Sequence, residues 1–322
     1  MKNSLLKKLL LTGLLTFLNI ENFKNCFASG NAVEEFLDSI YPWKGCGESK
    51  EVEEIILTKD KIKELKEMPE HERLDFLCSR NVLQPVEMQK QLRCRYVNRG
   101  DPFLQIAPFK EEELYLEPRI LLFHDIISDA EIDLITALAK PEFAAAGFKN
   151  VESGMIEVDA KLRDTQTGWL HDMDHRFVHR LSTRIGDMTQ LNMETAEQLQ
   201  IAYYETGGHY RPHFDFALFD DSEMFKELGT GNRIATVLFY FNEVEEGGNT
   251  VFTEINLSIK PKKGAAAFWY NLKPDGERDY LTLHSACPVL SGVKWAANKW
   301  LHIFGQEFHR PCSWNNETIV LN

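Results

Sequence analysis

Apolar and polar residues follow two different periods along this chain, and together they predict a mainly β core with flanking helices. Residues 233–241, RIATVLFYF, are apolar almost throughout, which is typical of a strand buried on both faces. Residues 119–123, RILLF, form a second short apolar strand. Further strands over residues 257–260 and 265–269 are separated by the turn sequence PKKG. Short strands at close spacing, joined by turns rich in Gly and Pro, indicate a sandwich or a barrel.

Helical periodicity is found mainly outside this core. Residues 50–72 place apolar residues at helical intervals among Glu and Lys, so we expect a few helices packed on the outside of a core domain. Ser128 and Glu131 form a capping box at the start of a helix that runs to Leu138 and is followed by a proline. A further helix is predicted over residues 175–188. These two helices are expected to support the sheet.

The first 28 residues have the pattern of a secretory signal peptide. Three lysines precede a mostly apolar stretch, residues 9–20, that is too short to span a bilayer, and small residues lead up to Ala28. An amphipathic N-terminal helix of the mature protein is the alternative. No later stretch approaches the apolar length of a membrane span, so we expect a protein of the secretory pathway without a membrane span.

Pattern and charge together limit the domain plan and the partners. We expect a signal peptide (1–28), a helical or irregular N-terminal region (29–116), a β domain with flanking helices (117–312) and a C-terminal tail (313–322). The formal charge of −13 and the pI near 5.3 argue against a nucleic acid partner. An acidic surface is compatible with basic or neutral protein substrates, or it serves solubility alone.

The cysteines are interpreted for an oxidising compartment, because the chain carries a predicted signal peptide. One of the six lies within that peptide. Among the others, Cys78 with Cys94 and Cys287 with Cys312 are natural local pairs, which leaves Cys46 free or bonded to a partner. Alternatively, several of them are simply small buried apolar residues.

His213 and Asp215 carry the clearest chemistry in the sequence. In an extended strand, residues i and i+2 point to the same face, so the imidazole and the carboxylate leave the backbone side by side. Two histidines and one carboxylate on one face, with the other positions open, are the ligand set of non-haem Fe(II). A lone His-x-Asp also arises by chance, as a surface histidine beside a solvated aspartate. His284 is a suitable third ligand, because a jelly roll can bring its distant strand close.

Two further features of the sequence are candidate binding sites. Lys294 would offer a point charge to a carboxylate of a cosubstrate, although most lysines are simply exposed. The segment from His171 to His175, HDMDH, is a rival metal cluster. Since nothing in its neighbourhood predicts a cavity, we interpret it as a solvated loop.

Several long segments around these residues resemble the catalytic domain of the collagen prolyl 4-hydroxylase α subunit. They are HYRPHFDF, GTGNRIATVLFYFNEVEEGGNTVF, KKGAAAFWYNL and HSACPVLSGVKWAANKWLH, in that order. The resemblance extends back through LRCRY and LQIAPFKEEELY, and so covers roughly residues 75–312. It implies a double-stranded β-helix, or jelly roll, and the helices expected from the pattern before it would form a helical N-terminal annex.

The resemblance also implies dependence on Fe(II), 2-oxoglutarate and O₂. His213, Asp215 and His284 match the iron ligands of the family, and Lys294 matches the residue that binds the distal carboxylate of 2-oxoglutarate. The remaining family positions are matched by Tyr204 and Thr236 beside that carboxylate, His302 near the cosubstrate and the iron, and Trp300 and Arg163 on the substrate side.

The implied activity is hydroxylation of peptidyl proline to 4-hydroxyproline in collagen-like or other proline-rich secretory proteins, with release of succinate and CO₂. L-ascorbate as a cofactor, protein disulfide isomerase as a partner subunit and the endoplasmic reticulum lumen as the compartment follow from the same resemblance. The alternatives are a hydroxylase of a non-collagen protein and a non-catalytic assembly or binding subunit. Family α subunits are longer, with further N-terminal regions for dimerisation and peptide binding.

Asn316 and Asn256 lie in glycosylation sequons.

Overall fold

Two antiparallel sheets form the framework of the protein in a computed structural model that describes residues 54–149, 156–218, 225, 229–310 and 312. All of these residues belong to one unit that spans Val52–Asn322. The strands are β1 (Glu54–Ile56), β2 (Asn81–Leu83), β3 (Cys94–Val97), β4 (Phe109–Tyr115), β5 (Ile120–His124), β6 (Ala144–Ala145), β7 (Phe148–Lys149), β8 (Ile156–Glu157), β9 (Arg163–Asp164), β10 (Gln166–Leu170), β11 (Leu199–Tyr204), β12 (His209–His213), β13 (Arg233–Tyr240), β14 (Glu246–Gly247), β15 (Thr250–Phe252), β16 (Leu257–Ile259), β17 (Ala266–Tyr270), β18 (His284–Ala286), β19 (Val289–Ser291) and β20 (Lys294–His302). The helices are α1 (Lys59–Glu67), α2 (Glu70–Cys78), α3 (Val86–Gln89), α4 (Asp129–Ala139) and α5 (Arg176–Thr189), with 3₁₀ turns at Lys140–Glu142 and Tyr280–Thr282.

The strand order is that of a double-stranded β-helix, as predicted. The larger sheet has the order β3-β4-β5-β17-β13-β20-β11-β10-β6, and the smaller sheet has the order β16-β15-β18-β12-β9. All neighbours in both sheets are antiparallel. A parallel pair, β1-β2, and the antiparallel pairs β14-β19 and β7-β8 complete the described strands.

Strand β13 lies at the centre of the larger sheet and is buried on both faces. Val237 and Phe239 pack in a cluster with residues of α4 and α5, whereas Leu238 and Tyr240 pack in a second cluster with residues of the smaller sheet. A strand with apolar contacts on both sides needs apolar residues at most of its positions, on both faces. This explains why its sequence is a continuous apolar run rather than an alternating one.

The two supporting helices begin with side-chain caps. Ser128 and Glu131 form the predicted capping box at the start of α4: the Ser128 hydroxyl accepts from the Glu131 backbone, and the Glu131 carboxylate accepts from the Ser128 backbone at 3.0 Å. At the start of α5, His175 Nδ1 accepts from the Phe177 N–H at 3.2 Å. One face of each helix is buried against the larger sheet, through residues such as Ile135.

The larger sheet begins earlier than predicted, because β3 and β4 lie within the region that was expected to be helical or irregular. Strand β4 does not show the alternation of apolar and polar residues that predicts a strand, because Glu111 and Glu113 lie on the same buried face as Phe109. Glu111 is only 2 % exposed, and its carboxylate pairs with Arg95 at 2.7 Å and with Arg99 at 2.5 Å. Because the buried positions of this strand carry charged residues, a search for alternating apolar residues does not detect it.

The disulfide pairing also differs from the prediction. The structure joins Cys78 to Cys287, so that neither predicted local pair forms, and Cys94 and Cys312 are free and exposed. The cause is tertiary packing: α2 lies against β15, and Cys287 is buried in the same apolar cluster as Leu77. Cys94 lies instead on β3, at the edge of the larger sheet. The predicted odd cysteine lies outside the described residues.

The two predicted glycosylation sequons have different outcomes. Asn256 is only 3 % exposed, in a turn with φ of 51°, and its carbonyl accepts from Gln84 Nε2 at 3.0 Å. Because a buried amide cannot carry a glycan in the folded chain, the prediction for Asn256 is wrong. Asn316 and the predicted signal peptide, residues 1–28, lie outside the described residues. In the part of the chain that is described, no helix has the length and apolar character needed to cross a membrane.

Candidate metal centre and adjoining pocket

Three metal-ligating side chains converge between the two sheets. His213 ends β12 and His284 begins β18, and these residues are direct partners across the two strands. Asp215 follows β12 and turns back toward both rings: its Oδ1 lies 3.8 Å from His213 Nε2 and its Oδ2 lies 3.7 Å from His284 Nε2. Among the described residues they are the only group of three or more His, Cys, Asp or Glu that could hold a metal ion.

The two imidazoles are held in the tautomer that a metal requires. His213 Nδ1 lies 2.8 Å from the Arg211 carbonyl oxygen, and His284 Nδ1 lies 2.9 Å from the Thr282 carbonyl oxygen. A carbonyl only accepts, so the hydrogen of each ring is placed on Nδ1 and the lone pair on Nε2. Two Nε2 lone pairs and a carboxylate then face one another with no hydrogen between them. Such a donor set fits a divalent cation.

The surroundings of His213 and Asp215 favour a neutral imidazole and an ionised carboxylate, which are the states that bind a metal. Burial and the neighbouring His284 lower the pKa of His213 to about 3, so its ring is neutral at physiological pH. Burial alone would raise the pKa of Asp215, but the adjacent His284, His213 and Arg233 outweigh it and lower that pKa to about 2. Two neutral imidazoles and one carboxylate leave a net positive charge on a bound divalent ion, which favours an anionic chelator.

A second layer of side chains supports Asp215. The Thr236 hydroxyl donates to Asp215 Oδ2 at 2.7 Å, and Asn271 Nδ2 donates to Thr236 Oγ1 at 2.9 Å. Arg233 Nη1 donates to the Asp215 backbone carbonyl at 3.3 Å. The hydrogen of Thr236 is therefore used on a metal ligand, which corrects the prediction that Thr236 binds the cosubstrate.

A pocket leads from the three ligands to Lys294, the first residue of β20. Lys294 is 2 % exposed, and its Nζ donates to the Gly248 carbonyl at 2.6 Å. Within the described residues no carboxylate lies within salt-bridge distance of it. Burial lowers its pKa to about 7. A buried ammonium without an acidic partner fits a ligand that brings its own carboxylate, such as 2-oxoglutarate.

Tyr204 and Thr250 complete this end of the pocket. Tyr204 is 5 % exposed, and Lys294 Nζ lies 5.5 Å from its ring centroid. Its hydrogen bond to the cosubstrate stays a prediction. Thr250 was missed by the sequence analysis. It lines the pocket, and its Oγ1 accepts from the Tyr240 hydroxyl at 3.0 Å, so its own hydrogen is oriented away from Tyr240. The only signal available was a polar residue opening the buried strand TVF.

Arg163 and Trp300, predicted on the substrate side, both line the pocket. The Arg163 guanidinium lies 4.5 Å from the Tyr210 ring centroid and donates to the Gln200 side chain at 3.1 Å. The Trp300 ring packs under Arg233, whose guanidinium carbon lies 3.9 Å from the ring centroid. Their roles toward a substrate remain predictions.

His302 is not brought into the lining of this pocket. Its Nε2 lies 2.9 Å from Glu197 Oε1, and its Nδ1 lies 2.7 Å from the Gly231 carbonyl oxygen. Glu197 also pairs with Arg233 at 2.5 Å, and this buried ion pair draws the imidazole to its own side of the sheet. The structure therefore does not support the predicted position of His302 beside the cosubstrate and the iron.

The rival segment from His171 to His175 uses its side chains structurally. His175 caps α5, and Asp172 Oδ1 accepts from Ser182 at 2.7 Å and from Lys299 Nζ at 3.0 Å. Together with the exposure of His171, Met173 and Asp174, these contacts agree with its interpretation as a solvated loop rather than a metal cluster.

Comparison with known proteins places these residues in a recognised context. Residues 199–302 match the 2OG-Fe(II) oxygenase superfamily, and this range includes the three ligands and Lys294. Over 249 residues the chain is 50 % identical to human prolyl 4-hydroxylase subunit alpha-1, which corresponds to 76 % of this chain and 46 % of that protein. Over 250 residues it is 47 % identical to prolyl 4-hydroxylase subunit alpha-2 of Caenorhabditis elegans, which corresponds to 77 % of this chain and 46 % of that protein. The chain thus spans about half the length of the curated relatives it matches.

Among solved structures, the fold is similar to a viral collagen prolyl hydroxylase from Paramecium Bursaria Chlorella virus-1 in complex with 2OG. The TM-score is 0.45 and the identity is 26 %, over 56 % of this chain and 94 % of that chain.

Proposed function

Because this chain is a relative of the prolyl 4-hydroxylase alpha subunits and carries a 2OG-Fe(II) oxygenase domain, we propose that it hydroxylates peptidyl proline to 4-hydroxyproline. The observation that carries the proposal is the convergence of two histidines, one aspartate and a buried lysine in one pocket. In the balanced reaction, 2-oxoglutarate loses CO₂ and becomes succinate. One oxygen atom of O₂ enters succinate, and the other is inserted into a C–H bond at C4 of proline to give a hydroxyl group.

The protein's own residues bind, orient and shield the reactants. His213 Nε2, His284 Nε2 and the Asp215 carboxylate would hold Fe(II) and leave its other positions open. Bound Fe(II) would coordinate the keto-acid end of 2-oxoglutarate and activate O₂. Lys294 and Thr250 would hold the distal carboxylate of 2-oxoglutarate, which fixes its direction in the pocket. Leu238, Ala286 and Ala296 line the pocket with apolar atoms, which would limit the access of bulk water to the centre.

The substrate, compartment and partners are part of the same proposal. The substrate class is a proline-rich or collagen-like secretory protein, which would pass along the pocket wall formed by Arg163 and Trp300. The signal-peptide pattern supports the endoplasmic reticulum lumen, where Asn316 would accept a glycan. The relatives are named as subunits, which supports a partner subunit, and we propose protein disulfide isomerase. L-ascorbate would return oxidised iron to Fe(II).

Succinate formation is the direct test. The purified chain, alone and co-expressed with protein disulfide isomerase, would be incubated with Fe(II), 2-oxoglutarate and ascorbate, with and without a (Pro-Pro-Gly) repeat peptide. We expect the peptide to stimulate succinate formation and the product to contain 4-hydroxyproline. Comparison of the two formats would show whether the chain requires the partner.

Two negative results would have different meanings. If 2-oxoglutarate binds but the collagen-like peptide has no effect in either format, the substrate is a different protein and other proline-rich chains should be tested. If the chain binds 2-oxoglutarate and metal but no proline-containing substrate is hydroxylated, the non-catalytic subunit becomes the better interpretation.

A further inference from the structure

The carboxylate of Asp215 is held by a two-step hydrogen-bond relay that runs through β13 to the end of the neighbouring strand β17. Asn271, directly after β17, donates from Nδ2 to Thr236 Oγ1 at 2.9 Å, and Thr236, in β13, donates to Asp215 Oδ2 at 2.7 Å. Both Asn271 and Thr236 are completely buried, and Asp215 is 5 % exposed. Within the described part of the chain, Thr236 makes the only side-chain hydrogen bond to this carboxylate, whereas Arg233 contacts only the Asp215 backbone carbonyl.

The relay has one possible direction. An ionised carboxylate only accepts, so the single hydrogen of Thr236 must point to Asp215. The oxygen of Thr236 is then free to accept, and Asn271 must present its NH₂ group rather than its carbonyl oxygen. The orientation of the Asn271 amide is thus set by the charge of a metal ligand two hydrogen bonds away.

This orientation leaves Asn271 with an unfavourable oxygen. Asn271 Oδ1 is buried and has no hydrogen-bond partner among the described residues. A buried acceptor without a partner is destabilising, and an apolar side chain of similar size would avoid it. Packing alone therefore does not explain why position 271 carries an amide. The hydrogen bond from Asn271 Nδ2 to Thr236 does explain it.

Asp215 needs such support because it lies beyond the end of β12 and is not held by the sheet ladder. Rotation of its carboxylate would change the distances of Oδ1 and Oδ2 from the two imidazole Nε2 atoms. We propose that Asn271 is a positioning residue of the metal centre, which acts through Thr236 to hold the Asp215 carboxylate in its ligating orientation. The inference rests on the metal site of the proposed function and adds residues to it.

Metal affinity tests the relay without any turnover. Co(II) binding to the purified chain would be measured by titration calorimetry for the wild type and for Thr236→Val, Asn271→Leu and the double variant. Partners that orient a metal ligand typically contribute a factor of about 10–100 in metal affinity, and we expect each single variant to bind Co(II) about tenfold more weakly. Because Asn271 acts only through Thr236, the double variant should bind no more weakly than Thr236→Val.

The controls separate positioning from general packing. Thr253→Val is a matched control, because Thr253 is also completely buried but its hydroxyl has no hydrogen-bond partner in the described structure. We expect it to bind Co(II) as the wild type does, and Thr236→Ser, which keeps the hydroxyl, to restore most of the affinity. The metal-free Asn271→Leu protein should unfold at the wild-type temperature or above it.

Several results would overturn the inference. Wild-type affinity in Asn271→Leu, additive losses in the double variant, or an equal loss in Thr253→Val would each show that the amide does not position Asp215. If Asn271→Leu does not fold, the smaller Asn271→Ala carries the same expectation. If the wild type itself does not bind Co(II), the metal site fails together with the inference, whereas tight wild-type binding with unaffected variants rejects the inference alone.

Discussion

Lys294 Nζ donates a 2.6 Å hydrogen bond to the carbonyl oxygen of Gly248 in the interior of the protein. This contact holds the ammonium at the end of the pocket but does not neutralise its charge. The nearest aromatic groups are the rings of Tyr204 and Tyr240, whose centroids lie 5.5 and 5.9 Å from Nζ. Burial raises the pKa of both tyrosines, so they stay neutral. The charge of Lys294 is therefore left for a ligand.

The affinity for 2-oxoglutarate should fall as the pH rises above neutrality. Burial lowers the pKa of Lys294 to about 7, and only the protonated amine attracts a carboxylate. Binding should be nearly constant below about pH 7 and weaken above it, by up to roughly tenfold per pH unit. Calorimetric titration of 2-oxoglutarate into the metal-loaded chain between pH 6 and about pH 9 would measure this, with proton uptake on the alkaline side.

A loss of 2-oxoglutarate affinity above about pH 7 would not result from unfolding caused by Lys294, because this lysine stabilises the folded state as the pH rises. The pKa of Lys294 is about 7 in the folded protein and 10.5 in its ordinary state, so the unfolded chain binds more protons between these values. This lysine alone then makes the folded state more stable as pH rises through that window. Lys294→Met should bind weakly at every pH. A wild-type affinity that does not change with pH would contradict the prediction.

Thr250 should contribute to cosubstrate binding but not to metal binding. Its hydroxyl accepts from Tyr240 and has a hydrogen available for the ligand carboxylate. A hydrogen bond to a charged group is worth about 1.5–3 kcal/mol, so we expect Thr250→Val to weaken 2-oxoglutarate binding by about tenfold or more. The affinity for Co(II), measured separately, should not change. Equal losses for both ligands would indicate a distorted site instead.

Removal of a histidine ligand should abolish metal binding and turnover while the chain stays folded. His213→Ala is the milder change, because the side chain of His284 is more buried and packs against the Trp269 ring at 4.9 Å. Metal at 100 times its Kd should stabilise the wild type by about 2.7 kcal/mol and should leave both alanine variants unaffected. Thermal unfolding with and without Co(II) measures the difference. His209→Ala, at the other end of β12, is the matched control, and an unchanged response in His213→Ala would disprove the assignment.

The sequence predicted those elements whose signals are local. The capping box of Ser128 and Glu131 needs only four adjacent residues, and the buried strand β13 shows its two-sided burial in its own composition. The closeness of His213 and Asp215 follows from their short spacing in the sequence, although Asp215 lies beyond the end of β12 rather than within the strand as predicted. His284 could be matched through the family resemblance because its surrounding motif is long and specific.

Features that depend on distant parts of the chain could not be predicted in the same way. Cys78 pairs with Cys287 because α2 packs against the smaller sheet, and sequence proximity contains no information on that contact. The role of Thr236 depends on which face of β13 meets Asp215. The burial of Asn256 depends on contacts with Gln84, far away in sequence.

The charged strand β4 allows a prediction about stability rather than catalysis. Glu111 lies under three arginines: its carboxylate contacts Arg95 at 2.7 Å, Arg99 at 2.5 Å and Arg119 at 3.3 Å. The arginine side chains are 23–41 % exposed, so water screens part of each interaction. The carboxylate itself is fully buried, and it joins β3, β4 and the chain before β5.

Glu111→Ala should therefore lower the free energy of unfolding by about 2–3 kcal/mol, which is less than the 3–5 kcal/mol typical of breaking a fully buried ion pair. The three guanidinium groups would lose their common acceptor and repel one another at the sheet edge. Urea unfolding would measure the change as a lower midpoint with an unchanged slope. Glu112→Ala is the control on the opposite face, where the pair with His124 is partly exposed and should contribute less than about 1 kcal/mol. Equal losses for the two variants would show that the buried cluster gives the sheet edge no more stability than an ordinary surface pair.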